Sequence, residues 1–163
     1  MKKGGTSGNC IVKKNNEFIQ KNYKKSGHQA FLNELYFYLL GDELNLEYIP
    51  ELIDYSVSDR MLKIKNVGTS VHELYKGKPK LKENLHPKII KEYKKLIGLG
   101  FYHNDLRYKN VVYNEEEDQI YLIDFEFTST KLIDKDDENI LKNNNLKIGN
   151  KDKKIKKKTK KNN

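Results

Sequence analysis

The segment that most constrains the fold of this chain is residues 101–127, which read FYHNDLRYKNVVYNEEEDQIYLIDFEF. Two short runs of β-branched and aromatic residues, separated by a polar stretch, predict a β-hairpin that spans positions 111–123. Because a hairpin brings its two ends side by side, Asn110 at its entry should lie near Asp124 at its exit. Asp105 precedes the hairpin by one loop, so a third oxygen-bearing side chain is expected nearby.

Amide and carboxylate oxygens that meet at the mouth of a hairpin suit Mg²⁺. This ion takes oxygen ligands, keeps several waters, and is often held between one or two carboxylates and the phosphates of a substrate. A further carboxylate without a metal can orient an attacking hydroxyl group and accept its proton. The alternative interpretation is a polar loop in an arbitrary hairpin.

The spacing H-x-D-L-x-x-x-N, followed by an apolar strand and D-F, resembles the catalytic loop and metal-binding motif of the protein-kinase-like superfamily. The resemblance implies that Asp105 is the catalytic base, that Asn110 and Asp124 are Mg²⁺ ligands, and that His103 braces the loop. Arg107 stands where serine/threonine kinases keep a lysine that contacts the γ-phosphate. The cofactors implied are therefore ATP and Mg²⁺.

A glycine-rich stretch, GGTSG at residues 4–8, opens the chain. Glycine lets backbone N–H groups approach a phosphate closely, because no Cβ blocks the approach. The stretch resembles a nucleotide-covering turn, in which Gly5 and Gly8 would bind the cofactor, although its pattern is G-G-x-x-G rather than G-x-G-x-x-G. A flexible N-terminus would show the same composition.

Residues 10–14 and 17–23 predict two strands joined by an Asn-Asn turn, since asparagine tolerates the positive φ of a tight hairpin. Ile19 and Lys21 point the same way from the second strand. The kinase resemblance places Ile19 against adenine and Lys21 at the phosphates. The alternative is that Lys21 is one solvated lysine among many.

Residues 26–40 predict a helix that begins with a capping box at Ser26 and stops at Gly41. Glu34 is the only acidic residue of this stretch. By resemblance it would form the ion pair that holds Lys21 on the α- and β-phosphates. The alternative is a solvated surface glutamate.

The middle of the chain predicts a strand at 61–65, a basic loop at 76–82 and an amphipathic helix at 86–99 with a proline in its first turn. In kinases the corresponding strand ends at the hinge between two lobes. By position, the carbonyl group of Lys65 and the N–H group of Val67 would bind the edge of adenine.

The chain has 163 residues, enough for one domain with a core, and a net charge of +9. Residues 151–163 carry eight lysines and one aspartate, or +7 of that charge. We expect a disordered tail whose lysines, Lys151–Lys161, suit nucleic acid, an acidic protein or a nuclear-import receptor. The alternative is a solubilising tail without a partner.

Two further features bear on location. No apolar run is long enough to span a bilayer and no signal peptide opens the chain, so no membrane partner is expected. The single Cys10 cannot form an internal disulfide, which fits a reducing compartment. These features predict an intracellular protein of the cytoplasm, with the basic tail as a route to the nucleus.

Together these patterns predict an α+β protein-kinase-like fold over residues 1–145, with a basic tail at 146–163. A small antiparallel β-sheet lobe with one helix would occupy residues 1–66. A truncated helical lobe would occupy residues 67–145. The kinase resemblance itself is traced over residues 4–127.

Departures from the kinase pattern bear on the acceptor. Asn104 stands where many protein kinases have an arginine that pairs with a phosphorylated loop, and Glu126 replaces the glycine of D-F-G. The combination H-N-D-L…N…I-D-F-E is similar to choline and ethanolamine kinases, and more loosely to aminoglycoside phosphotransferases. We favour transfer to a protein serine or threonine at this stage. A kinase of small alcohols and a pseudokinase or nucleotide-binding module are the alternatives.

Overall fold

The computed structural model describes residues 2–6, 8–76 and 79–134, with the backbone alone described at 2–6 and 79–83. The described part is α+β, with antiparallel sheets and few helices, which confirms the predicted fold class. The predicted end of the second lobe near residue 145 and the basic tail at 146–163 lie outside the described residues.

The first half of the described chain consists mainly of strands, and the second half contains both helices and strands. The strands are β1 (Lys2–Thr6), β2 (Cys10–Lys14), β3 (Phe18–Tyr23), β4 (Leu52–Ser56), β5 (Met61–Lys65), β6 (Thr69–Ser70), β7 (Val111–Asn114) and β8 (Gln119–Leu122). The helices are α1 (His28–Glu43), α2 (Val71–Leu74) and α3 (Pro79–Gly98), and short 3₁₀ turns are formed at Lys25–Gly27, Tyr108–Asn110 and Phe125–Phe127.

The larger sheet is antiparallel and has the strand order β1-β2-β3-β5-β4, so β3 lies in its middle. Helix α1 packs against this sheet. Phe31 and Tyr38 of α1 are fully buried, and they join Leu62 and Ile64 of β5 in one hydrophobic core. This packing places the centre of β3 next to the buried face of α1, which positions the candidate site.

The hairpin predicted after the polar loop is confirmed as β7 and β8, with Val111 opposite Leu122. β6 joins the hairpin as a third strand. Because β6 follows β5 directly, the short segment between them connects the two sheets. None of the helices in the described part of the chain combines the length and the apolar character needed to cross a bilayer.

The turn between β2 and β3 differs from the predicted one, because neither Asn15 nor Asn16 has a positive φ. Instead, Oδ1 of Asn15 accepts hydrogen bonds from the backbone N–H groups of Glu17 at 2.9 Å and Phe18 at 2.7 Å. Asparagine therefore shapes this turn through its side chain, which mimics a backbone carbonyl group.

Both predicted ends of α1 are wrong. The N-cap residue is Gly27, and it makes no side-chain cap hydrogen bond, so Ser26 and Gln29 do not form a capping box. Gly41 lies inside the helix, and a Cβ there would come within 2.9 Å of Ile49 Cγ2. The glycine thus lets the chain that follows α1 pack against the helix instead of ending it.

Helix α3 begins at Pro79, whereas the sequence predicted a basic loop over 76–82 and a later helix start. Proline suits the first position of a helix. Pro87, expected in the first turn, lies in the helix interior. Leu85 and Ile89 on either side of it are both buried, and the packing of this face offsets the hydrogen bond that Pro87 cannot donate.

The connection between the two sheets requires glycine at position 68, and replacing it should destabilise the fold. Gly68 has φ +135°, and a Cβ would lie 2.7 Å from the carbonyl oxygen of Tyr113. We expect Gly68→Ala to lower the free energy of unfolding by about 2–3 kcal/mol, through backbone strain and this clash. Urea denaturation measures the change.

Gly98→Ala is the matched control, because no atom lies within 4 Å of a Cβ built at that exposed helical position. It should leave the unfolding midpoint unchanged or raise it slightly. Equal midpoints for the two variants would contradict the account of the connection.

Candidate active site

Lys21 is a buried residue at the centre of a charge cluster that joins three elements. Its Nζ atom, on β3, donates to both carboxylate oxygens of Glu34 on α1 at 2.8 Å. It also donates to Oδ1 of Asp124, just after β8, at 3.0 Å. The side chain of Lys21 is 10% exposed and that of Glu34 is 0% exposed, so neither is a solvated surface group. The ion pair implied by the kinase resemblance is therefore present, and its role in binding nucleotide stays a prediction.

The cluster keeps Lys21 charged. Burial alone would lower the pKa of Lys21, but the carboxylates of Glu34 and Asp124 outweigh it and hold that pKa above its ordinary value. The hydroxyl group of Tyr23 also donates to Glu34 Oε2. Burial raises the pKa of Tyr23, so this hydroxyl remains a donor. Glu34 thus lies between two donors that fix its carboxylate plane.

Asp124 follows β8 in a left-handed conformation, with φ 71° and ψ 59°. Aspartate tolerates this region better than most residues, but such a backbone persists only where surrounding contacts hold it. Two contacts flank it: the N–H group of Ile123 donates to the carbonyl oxygen of Asn110 at 3.0 Å, and Nε2 of His103 donates to the carbonyl oxygen of Ile123 at 3.0 Å. His103 therefore braces the backbone next to Asp124.

The aromatic ring after Asp124 anchors it to α1. Phe125 is fully buried and stacks on Phe37, with ring centroids 5.4 Å apart. It also meets the edge of Tyr38 at 5.6 Å. This packing fixes Asp124 relative to the helix that carries Glu34, so the carboxylates of the cluster keep their separation.

Asp105 has two partners within its own loop. The guanidinium group of Arg107 donates to Asp105 Oδ2, and Nδ2 of Asn110 donates to the same oxygen at 2.9 Å. Nδ2 of Asn110 also donates to the backbone carbonyl oxygen of Asp105 at 2.9 Å. The side chain of Asn110 is thus bonded to Asp105, while its backbone is bonded to the residue before Asp124.

The oxygen donors at this point fit Mg²⁺. Burial would raise the pKa of Asp124, but the nearby charge of Lys21 outweighs this effect and lowers that pKa below its ordinary value. The carboxyl group is therefore ionised at neutral pH. The amide nitrogen of Asn110 is bonded to Asp105, so its oxygen is the atom that can serve as a ligand. Among the described residues, no group of three or more His, Cys, Asp or Glu side chains is placed to hold a metal ion. A magnesium site of these two groups would be completed by waters and phosphate.

A cleft of about 150 Å³ lies between the two sheets, next to the segment that follows β5. Apolar side chains from both sheets and from the residues that follow β5 and β8 line it: Ile19, Ile64, Val67, Val112 and Ile123. Lys65 and Gly68 also line the cleft. The structure therefore brings together the three residues predicted to contact adenine, namely Ile19, Lys65 and Val67, although their contact with a nucleotide stays a prediction.

The glycine-rich stretch is only partly a turn. Gly5 lies within β1, where the register against β2 shifts between Lys3 and Thr6. Gly8 follows that strand, is exposed, and has no atom within 4 Å of a built Cβ. Nζ of Lys24 donates to its carbonyl oxygen at 3.1 Å. Gly8 thus leaves the backbone open near the β1–β2 connection.

Sequence reasoning missed three side chains that organise the site. Tyr23 could have been found, because it lies two residues after Lys21 and must share its face of β3. Asn9 and Asn33 could not: Asn9 Nδ2 donates to Glu126 Oε2 at 3.2 Å, and Asn33 Nδ2 donates to the carbonyl oxygen of Glu126 at 2.9 Å. These partners are far apart in sequence, and no local pattern signals them.

Comparison with known proteins identifies one family. The sequence profile of the choline/ethanolamine kinase family matches residues 14–152 of this chain, which is most of its length. The match starts after the glycine-rich stretch and continues beyond Phe127, where the kinase resemblance was expected to end. No curated protein is significantly similar to the chain.

The buried ion pair predicts a strong coupling between Lys21 and Glu34. We expect Glu34→Gln to lower the free energy of unfolding by about 3 kcal/mol, because it removes the charge that compensates a buried ammonium group. Lys21→Met should lower the free energy of unfolding by about 2 kcal/mol less in the Glu34→Gln background than in the wild-type background. In the Glu34→Gln background it removes an ammonium group that has already lost its partner. Urea denaturation of the four proteins of this cycle measures the coupling.

Lys13→Met on the neighbouring strand is the matched control, because Lys13 is exposed. It should change the free energy of unfolding by less than about 0.5 kcal/mol. Strict additivity of the Lys21 and Glu34 changes would refute the structural importance of the pair.

Proposed function

Because this chain belongs to the choline/ethanolamine kinase family, we propose that it transfers the γ-phosphate of ATP to the hydroxyl group of a small alcohol of the choline or ethanolamine type. The observation that carries the proposal is the convergence of Lys21, Glu34 and Asp124 in one cluster, in which Lys21 and Glu34 are buried and Asp124 is partly exposed. Such a cluster holds a cation and a carboxylate at fixed positions, as the binding of nucleotide phosphates and Mg²⁺ requires.

Each residue of the cluster has a role in this proposal. Lys21 binds the phosphates of the nucleotide, and Glu34 orients it through two hydrogen bonds of 2.8 Å. Asp124 and Asn110 hold Mg²⁺, which when bound neutralises charge on the phosphate oxygens. Ile19, Lys65 and Val67 bind adenine in the cleft between the sheets.

Asp105 accepts the proton of the acceptor hydroxyl group. Its carboxylate is oriented by Asn110 and Arg107, which both donate to Oδ2. The other carboxylate oxygen, Oδ1, is then the atom that can receive the proton. Arg107 adds a positive charge beside the base, and we assign it to the γ-phosphate as well.

The choice of acceptor rests on family membership. Sequence patterns alone led us to favour a protein serine or threonine, whereas membership in a family of small-alcohol kinases supports choline- or ethanolamine-like acceptors. No contact of the described residues favours a protein acceptor, or a module that binds nucleotide without turnover. Both therefore enter the test as competing outcomes.

Labelled ATP tests the acceptor directly. We expect phosphate transfer, dependent on Mg²⁺, to choline or ethanolamine, and none to a generic basic protein or an aminoglycoside. The Asp105→Asn protein, assayed in parallel, controls for a contaminating kinase. Transfer to protein alone would overturn the small-alcohol assignment, and binding of ATP without transfer to any acceptor would overturn the catalytic one.

Two carboxylate variants separate the base from the metal ligand. Asp105→Asn should lower kcat by about 10²- to 10⁴-fold, the contribution typical of general base catalysis. It should leave nucleotide affinity nearly intact, because the base acts on the acceptor. Asp124→Asn should instead weaken the binding of Mg²⁺ and ATP together, as measured by calorimetry. Wild-type turnover in both variants would show that the kinase assignment is wrong.

A further inference from the structure

One buried side chain binds the segment that follows Asp124 at several points. Asn104 is 7% exposed and lies next to Asp105 in sequence. Its Nδ2 atom donates to three acceptors, at 3.2, 3.0 and 3.0 Å: the carbonyl oxygen of Phe127, Oγ of Ser129 and the carbonyl oxygen of Lys131. Two N–H groups shared among three acceptors indicate a bifurcated arrangement.

The oxygen of the same amide binds the far end of the segment. Oδ1 of Asn104 accepts hydrogen bonds from the backbone N–H groups of Ile133 at 2.9 Å and Asp134 at 3.4 Å. One side chain thus bonds residues 127–134 at both ends. A neutral amide offers two N–H donors and an oxygen acceptor in one group, whereas a hydroxyl group or a neutral histidine has a single donor, arginine and lysine have no acceptor, and an ionised carboxylate has no donor.

The backbone at this position also favours asparagine. Asn104 has φ +60°, in the left-handed region. Asparagine and glycine enter this region more readily than residues with larger or branched side chains. The conformation turns the Asn104 side chain away from the direction it would take in an extended loop, and toward the segment it binds.

The fastened segment reaches the neighbourhood of the base. The N–H group of Tyr102 donates to the carbonyl oxygen of Ser129 at 2.8 Å, and the N–H group of Ser129 donates to the carbonyl oxygen of Tyr102 at 3.0 Å. Oγ1 of Thr128 donates to the carbonyl oxygen of His103 at 3.3 Å. The segment therefore packs against the residues that directly precede Asp105.

We infer that Asn104 is a positioning residue that fixes residues 127–134 beside the loop of Asp105, so that the acceptor side of the site is assembled without a phosphorylated side chain. The inference rests on the proposed function in so far as it concerns catalysis. In kinases controlled by phosphorylation an arginine–phosphate pair orders the corresponding segment. Here the hydrogen bonds of one neutral amide do so, together with the backbone bonds between Tyr102 and Ser129.

Amide hydrogen exchange of the full chain, resolved by residue with NMR, tests the fastening. Asn104→Gly removes the side chain and keeps the left-handed backbone unstrained, whereas Asn104→Ala removes it and adds strain. In both variants the amides of Ile133 and Asp134 should exchange about tenfold faster. The amide of Ser129 should keep its protection, because it donates to the carbonyl oxygen of Tyr102 at 3.0 Å.

Asn22→Ala is the matched control for this measurement. Asn22 lies on β3, where its Oδ1 accepts a hydrogen bond from Gln20 at 3.1 Å. It should leave all three amides unchanged. Faster exchange in Asn104→Ala alone would assign the effect to backbone strain, and faster exchange in Asn104→Gly alone would assign it to added backbone freedom. Either result, or no change in both variants, overturns the inference.

Steady-state kinetics test the consequence for catalysis. Both Asn104 variants should lower kcat and raise the KM of the acceptor, each by about fivefold or more, because the acceptor side of Asp105 loosens. The dissociation constant of ATP should stay within twofold, since the residues that bind it are untouched. Wild-type activity should survive phosphatase treatment. A purely structural role would instead weaken ATP binding and the acceptor steps alike, in proportion to the loss of folded protein.

The two proposals fail in different ways. If the wild-type protein transfers phosphate to no acceptor, the proposed function fails, and the exchange data still decide whether Asn104 fixes the segment. If the wild-type protein is active and both variants match its kinetics, the proposed function stands and the inference about Asn104 is wrong.

Discussion

The buried ammonium group of Lys21 is the constraint on which the rest of the site depends. A charge removed from water is very costly unless it is paired and hydrogen-bonded. Here its partners come from α1 and from the end of β8, so the cost of burial is offset only when the sheet, the helix and the hairpin are all in place. The charge cluster therefore links folding of the first sheet to the position of Asp124.

Neutral amides organise the remainder of the site. Asn110 orients Asp105, Asn104 fastens residues 127–134, and Asn9 and Asn33 bind Glu126 from the β1–β2 connection and from α1. The bonds of Asn104 and Asn33 have no ionisable partner, so they change little with pH and are weakly screened by salt, in contrast to ion pairs between exposed groups. The position of residues 127–134 thus depends on geometry that is built into the fold.

Family membership indicates the class of protein, whereas local geometry bears on how the site is divided. The family establishes a kinase of the choline/ethanolamine type as the class of protein. In the proposed function, Lys21 and the cleft after β5 form the nucleotide side of the site, and Asp105 and the segment after Phe127 form the acceptor side. Because the two sides are held by different contacts, changes at one side are expected to leave the other largely intact.

The sequence by itself determined the chemical groups and the local elements that carry them. The order of polar and β-branched residues gave the hairpin, and the spacing of His103, Asp105 and Asn110 identified the loop. Only the tertiary structure decided that Lys21 reaches Asp124, that Gly41 lies inside a helix, and that Asn104 binds residues 127–134. Periodicity and capping rules describe neighbours along the chain, whereas these contacts join residues that packing alone brings together.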